Sequence, residues 1–392
     1  MRTARASRWF VAAGALFLVA LQLAIAAGAP RRTVVTLGLY GFVLHVAFGK
    51  AYALVPSYFQ RSLAWPTAPA VQWPLSVAGT AALALTPLGP RWLGSAGTAL
   101  WAGGVAVFLG TLGWTIRDNP TGAATGTGDA NAHRRTVDRR ANAVVPVALG
   151  YLALTAVAAL AGAFEVRPFG AGPLAVQQRS HLLAAGTAAL LVFGVGFRLF
   201  PRFLVAEPPR RLVAVVLLTG ALGPALLAFG LFSPTVLLVG GVVEGVAVVG
   251  FAASYLVLFA RSDRRRVGFY AVALAVVAGV LGVGLGLTMA VTAREPALVG
   301  AHYRLMLVGF LGLTVVGAAY QFYPPAVGTW PLASDRTAFG SIALLGGGLG
   351  LQVLGALLGH ELVSTVGTLL GVSGAVLFAY LLFAAFDRRR GR

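Results

Sequence analysis

The sequence predicts an all-α, polytopic membrane protein of about twelve transmembrane helices in three four-helix pseudo-repeats, and three observations lead there. The chain of 392 residues is 58% hydrophobic and 10% charged, with a mean hydropathy of +0.84. A water-soluble core cannot hide that much apolar surface, so the solvent is a lipid bilayer. The apolar residues fall into runs long enough to cross ~30 Å of hydrocarbon as helices. One short pattern also returns three times at wide, similar spacing: Gly, two residues, an aromatic, one residue, Leu or Phe, one residue, Pro.

The runs cover approximately residues 8–28, 33–58, 70–88, 93–115, 141–164, 174–200, 211–232, 234–260, 267–292, 297–325, 338–358 and 362–385. They divide into pseudo-repeats of about 1–117, 141–262 and 266–387, with 118–140 as a cytoplasmic linker. The small polar residues Asn119-Pro120-Thr121-Gly122 through Thr127-Gly128 make that linker read as flexible. The first run has a second reading as a cleaved signal peptide, because Ala26-Ala27-Gly28-Ala29 resembles a cleavage site. An even division into groups of four favours keeping it as a span.

Charge orders the loops. Arg2, Arg5 and Arg8 precede the first run, and Arg117, Arg134, Arg135, Arg139 and Arg140 lie in or beside the linker. Arg202, Arg210 and Arg211, then Arg261, Arg264, Arg265 and Arg266, then Arg388, Arg389, Arg390 and Arg392 follow on the same side. By the positive-inside rule that side is cytoplasmic, which places both termini there and the protein in the cell membrane. The opposite loops are poorer in arginine, with Arg31 and Arg32 the main exception. The net charge of +19 therefore orients the chain; no basic helix interleaved with aromatics points to nucleic acid. No cysteine is present, which removes disulfides, thiolate metal sites and cysteine catalysis.

The motif copies are Gly49 to Pro56 with Tyr52, Gly194 to Pro201 with Phe197, and Gly317 to Pro324 with Tyr320. They end the second, sixth and tenth runs, and each run holds one histidine: His45, His181 and His302. Glycine lets helices approach closely, the aromatic suits an interfacial belt, and proline ends or kinks the helix.

The segment Ala301-His302-Tyr303-Arg304, continuing through Gly309, Gly317 and Tyr320 to Pro324, resembles helix ten of heme-copper oxidase subunit I. His181 with Gly186, Gly194 and Pro201 resembles the histidine-bearing helices of NnrS, a related twelve-helix heme and copper membrane protein. The resemblance implies twelve helices in three arcs of four and a stand-alone, divergent, heme-binding member of that superfamily. It also implies a redox or nitric-oxide and oxygen-related role, possible oxidoreductase activity, and an electron donor such as a cupredoxin or cytochrome. His302 matches the high-spin heme ligand of that family, and Arg304 stands where its second histidine would be. A complete oxygen-reducing centre of the family takes six histidines, and this chain has five. That departure argues against oxygen reduction at such a centre. No catalytic residue is assigned.

Offsets from the prolines sharpen the picture. At about 100° per residue, the interval from His302 to Pro324 returns to roughly the same helix face, as does the interval from His45 to Pro56. The interval from His181 to Pro201 ends on nearly the opposite face. The family uses these two offsets for the ligands of its low-spin heme. One step of the pseudo-threefold carries that arrangement to His302 and His181, which become candidate axial ligands of a heme b, with Arg304 and Arg179 as partners for its propionates or as interfacial anchors. His45 lies deeper. It is a candidate ligand of a second heme or metal, copper included, or a histidine hydrogen-bonded within the bundle.

Two more ionisable groups lie within the runs. Lys50, the only lysine, is either a snorkelling anchor or part of a pathway, and Glu244 relays protons, pairs with an arginine or sits protonated. Arg198 and Arg202 flank Pro201 and read as orienting charges. A transporter or channel using Glu244, Lys50 and His45 is the alternative function, and a cofactor-free assembly subunit is the third. No phosphate loop, Ser-His-Asp set or metalloprotease motif is present, and glycine runs such as Gly346-Gly347-Gly348 are helix-packing residues.

Overall fold

The computed structural model describes residues 3–166 and 174–387, so Arg2, Arg388, Arg389, Arg390 and Arg392 of the orientation argument lie outside the described residues. The chain is 84% helical, without strands among the described residues. Twelve long helices lie among the described residues: α1 (Thr3–Ala26), α2 (Arg31–Tyr58), α3 (Ala68–Leu85), α4 (Trp92–Ile116), α5 (Arg135–Ala163), α6 (Val176–Leu204), α7 (Arg210–Gly230), α8 (Pro234–Arg261), α9 (Val267–Val291), α10 (Pro296–Val327), α11 (Asp335–Leu358) and α12 (Glu361–Asp387). Each overlaps one of the expected spans. Eleven are long and apolar enough to cross a membrane; α3, with 18 residues, is diluted by Pro69, Gln72 and Pro74. Outward-facing side chains such as Leu218, Val249, Leu281 and Leu369 are apolar and exposed, as lipid contact requires. This is an all-α multi-pass membrane protein.

Packing follows the groups of four. The third and fourth helices of each group form a glycine-lined antiparallel pair. Gly79 of α3 meets the Trp101 main chain, Gly240 of α8 meets Leu226 and Leu227 of α7, and Gly348 of α11 meets Gly367 and Gly371. A side chain at any of these positions would hold the helices apart. Between groups, α4 packs on α5, α8 on α9 and α12 on α1, which closes a ring. Helices α2, α6 and α10 fill its interior: 78%, 67% and 72% of their apolar stretches are buried, against 33% to 56% for the other spanning helices.

Each central helix is π-helical in its middle, at Thr36–Val43, Leu182–Ala189 and Leu305–Leu313, and the three π segments touch one another. π-helix is rare and tends to occur at functional sites, so three in matching places are a designed feature of the bundle centre. They correct the angular reading. From His45 to Pro56 the chain is α-helical and about 100° per residue applies. Between His181 and Pro201, and between His302 and Pro324, a π segment intervenes. Its i to i+5 bonding takes more residues per turn, so the faces counted along an unbroken α-helix do not carry across it.

The repeated motif has a packing explanation. Its glycine meets the first helix of its own group: a Cβ would lie 2.8 Å from the Ser7 carbonyl oxygen at Gly49, 3.0 Å from that of Ala141 at Gly194 and 2.5 Å from that of Gly268 at Gly317. Its aromatic meets a phenylalanine on the fourth helix. Tyr52 lies 5.3 Å from Phe108, Phe197 5.4 Å from Phe251 and Tyr320 5.4 Å from Phe378, all edge to face. Such a pair contributes ~0.5–1.5 kcal/mol beyond its buried area. These rings are 1–2% exposed, so they are core residues and not an interfacial belt. A second glycine, eight residues before each motif, repeats too: Gly41, Gly186 and Gly309 lie in the π segments against Phe17, Tyr151 and Ala278 of the first helices. Pro56 and Pro201 sit inside the last helical turn, whereas Pro324 follows the end of regular helix at Phe322.

Candidate functional site

Three histidines sit at or beside the π segments, and all three are held the same way. His45 Nδ1 lies 2.9 Å from the Tyr40 carbonyl, His181 Nδ1 2.9 Å from that of Gln177, and His302 Nδ1 2.8 Å from that of Gly282 on α9. A carbonyl only accepts, so Nδ1 carries the proton and Nε2 presents its lone pair. A carbonyl accepting from Nδ1 in this way fixes the tautomer and orients an imidazole for metal ligation.

His181 and His302 lie on different central helices and within electrostatic reach of each other, with Arg294 near His181. Gly286 of α9 makes room for the His302 ring, which a Cβ would approach to 3.1 Å. Arg179 precedes His181 by two residues and Arg304 follows His302 by two. The Nε atoms of both arginines are buried without a hydrogen-bond partner, and Arg304 lies 5.2 Å from the Tyr303 ring centre. Arg179 and Arg32 both reach the neighbourhood of Tyr40. The site therefore combines two imidazole lone pairs with guanidinium donors that still have bonding capacity.

His45 is apart from this pair. It is fully buried, with Phe17 at 5.0 Å and Phe10 at 6.1 Å, and its Nε2 has no partner. Glu244 is buried against Gly223 of α7 with neither carboxyl oxygen hydrogen-bonded. Lys50 reaches across to α10, donating to the Tyr323 hydroxyl at 2.8 Å and lying 4.1 Å from the Phe322 and Tyr323 ring centres. It thus joins two central helices. The structure does not gather Glu244, Lys50 and His45 into one cluster: their partners lie on different helices. Among the described residues, no three His, Asp or Glu side chains converge as a metal-ligand group.

The sequence reading missed a polar network at the arginine-rich face. Asp138, fully buried on α5, accepts from Arg202 at 2.6 and 3.0 Å and from Thr127 at 2.5 Å, with Arg198 at 3.6 Å. Arg198, 4% exposed, donates to Asn142 Oδ1 and to the carbonyls of Tyr58 and Thr125. Asn119 donates to the carbonyls of Phe59 and Ala124, and Asn142 to those of Tyr58 and Gly122. Arg198 and Arg202 are structural cations, not loose orienting charges, and the stretch from Asn119 to Thr127 is tied down, not free. The signal was available in Asp138, an acid only one turn before an apolar run and matched to two arginines flanking Pro201.

The chain matches no protein-family model, and comparison with curated proteins returns no relative.

Proposed function

We propose that this protein is a heme-binding membrane protein of three four-helix pseudo-repeats, in which His181 and His302 would hold a heme b, with a redox role in the cell membrane. The observation that carries the reading is the matched state of the two imidazoles: each Nδ1 is spent on a carbonyl, and each Nε2 is left for iron. The unpartnered Nε atoms of Arg179 and Arg304 supply donors for the carboxylates of such a group. Heme would supply one-electron redox chemistry. The chain's own residues orient the ligands, offer charge to the carboxylates and exclude water through the apolar π segments.

Five histidines are too few for a complete heme-copper oxygen-reducing centre, so electron transfer or nitric-oxide-related chemistry fits better, with a cupredoxin or cytochrome as electron donor. The arginine-rich loops argue for cytoplasmic termini. A second metal at His45, copper included, is the lesser part of the reading and rests on its one free Nε2.

The test is the reduced-minus-oxidised spectrum of protein purified after heme-replete expression. A bis-histidine b-type signal, lost in His181→Ala and in His302→Ala and insensitive to carbon monoxide, supports the reading. No heme signal in the wild type overturns it. Glu244, with both oxygens unpartnered inside the bundle, favours proton- or ion-coupled transport as the second reading, and flux in liposomes decides it.

A further inference from the structure

Hydroxyls inside apolar helices normally bond the carbonyl one turn back. Thr98, Thr111, Thr115, Thr155 and Thr314 all do so here, at 2.6 to 2.8 Å. Ser76 and Thr80 of α3 do not. Both are fully buried, and neither hydroxyl has a protein partner. Gln72, one turn earlier on the same face, is fully buried with both amide atoms unpartnered. Leaving such a group unsatisfied in an apolar interior is costly, and an amide can make up to four bonds. Three in a row on one helix face is a polar stripe with a purpose.

Two more buried nitrogens are unpartnered: Nε1 of Trp73, next in sequence to Gln72, and Nε1 of Trp101 on α4, whose main chain lies against Gly79, one residue before Thr80. Ser7 Oγ of α1 is buried and unpartnered, and the Trp9 and Trp73 rings meet at a tilt with centres 6.1 Å apart. The far end joins His45. The Tyr40 ring packs on Trp101 at 4.8 Å, and the Tyr40 carbonyl holds His45 Nδ1, which leaves the buried Nε2 unpartnered. Ser7 and Gln72 lie in the first turns of α1 and α3, on the face where both helices begin. At ~1.5 Å per residue, Thr80 stands ~12 Å deeper than Gln72.

We propose that α1, α2, α3 and α4 enclose a hydrated polar seam. Bound water runs from Ser7 and Gln72, past Ser76 and Thr80, to Trp101 and the Nε2 of His45. Each such water would take two to four polar partners, drawn from the unpartnered Gln72, Ser76 and Thr80 groups and neighbouring carbonyls. The seam gives the buried imidazole of His45 proton contact with the arginine-rich face, and so makes it the inner terminus of a proton-exchange path. The second and third groups lack such a stripe: their corresponding face positions on α7 and α11 are not lined by three successive unpartnered polar side chains among the described residues.

X-ray radiolysis in water labelled with oxygen-18 tests this, because radicals formed from bound water oxidise the side chains beside it. Trp101 and His45 are fully buried; Tyr255 and Tyr320 are buried to within 1–2% but have hydroxyls bonded to the Phe269 carbonyl and to Ser341. The expected result is labelling of Trp101 and His45 at least about tenfold faster than of Tyr255 and Tyr320, as internal water requires. Gln72→Leu with Thr80→Val brings Trp101 down to the Tyr255 rate, and Ser76→Ala alone does so in part should the double variant not fold. Wild-type protection of Trp101 and His45 equal to that of Tyr255, or labelling unchanged in folded variants, overturns the proposal. The readout needs no heme, so it is independent of the function proposed above.

Discussion

Arg198 Nη1 lies 3.1 Å from the carbonyl oxygen of Tyr58, and the guanidinium carbon lies 3.9 Å from the centre of the Tyr58 ring. One side chain thus makes a charge-assisted hydrogen bond and a cation–π contact to a residue 140 positions away. Asp138 balances its charge in the same buried place. Removing Asp138 leaves two cations uncompensated, so Asp138→Asn costs about 3–5 kcal/mol. Arg198→Met leaves Asp138 its Arg202 partner and loses the bonds to Tyr58, Asn142 and Thr125, at about 1–3 kcal/mol. The double variant recovers part of that loss. Thermal unfolding in detergent measures all three, and strict additivity would show that the two groups do not interact.

The three motif rings share one geometry, and their truncations share one cost. Tyr52→Ala, Phe197→Ala and Tyr320→Ala each destabilise by about 3–5 kcal/mol, the range for large buried aromatics. Tyr320→Phe alone loses a further hydrogen bond, to Ser341, at about 1 kcal/mol. Unfolding midpoints compared across the four variants check both parts.

Glycine at the motif is required by contact. Gly317→Ala places a methyl 2.5 Å from the Gly268 carbonyl oxygen, and the overpacking costs about 1–3 kcal/mol. Gly350→Ala, with nothing within 4 Å, is neutral or stabilising by up to about 1 kcal/mol. A scan in which both positions respond alike would contradict this account.

The stretch from Asn119 to Thr127 resists protease in the folded protein, because its carbonyls are engaged by Asn119, Asn142 and Arg198. Asn142→Ala removes the bond to the Gly122 carbonyl, together with its bond to the Tyr58 carbonyl and the one it accepts from Arg198, and opens the stretch to cleavage. Digestion of membranes with a protease of broad specificity, read by intact mass, gives the answer directly.

Much of this architecture is legible in the residues alone. Helix positions follow from hydropathy, since lipid demands about 20 apolar residues per crossing whatever the packing. Recurrence of Gly, aromatic and Pro marks the three central helices because the same contacts are made three times. Gly41, Gly186 and Gly309 were equally available but sit in apolar stretches where glycine is common, and only the contact with Phe17, Tyr151 and Ala278 distinguishes them. The π segments have no composition of their own: Leu182–Ala189 reads as ordinary helix, and its extra residue per turn arises from tertiary packing. The linker misread has a similar cause. Thr125 and Gly122 look flexible until Arg198 and Asn142, far along the chain, bind their carbonyls.

Lys50 and Arg198 do one thing in two places: each crosses from one central helix to another with a hydrogen-bonded cation. Between α6 and α10 the corresponding contact is Phe203 against Phe322, ring centres 5.9 Å apart. A hydrogen-bonded cation has one register, whereas two rings in contact slide at little cost. Three look-alike joints are therefore mechanically unequal: two act as rivets and one as a bearing. His181 and His302 lie on the two helices that the bearing joins.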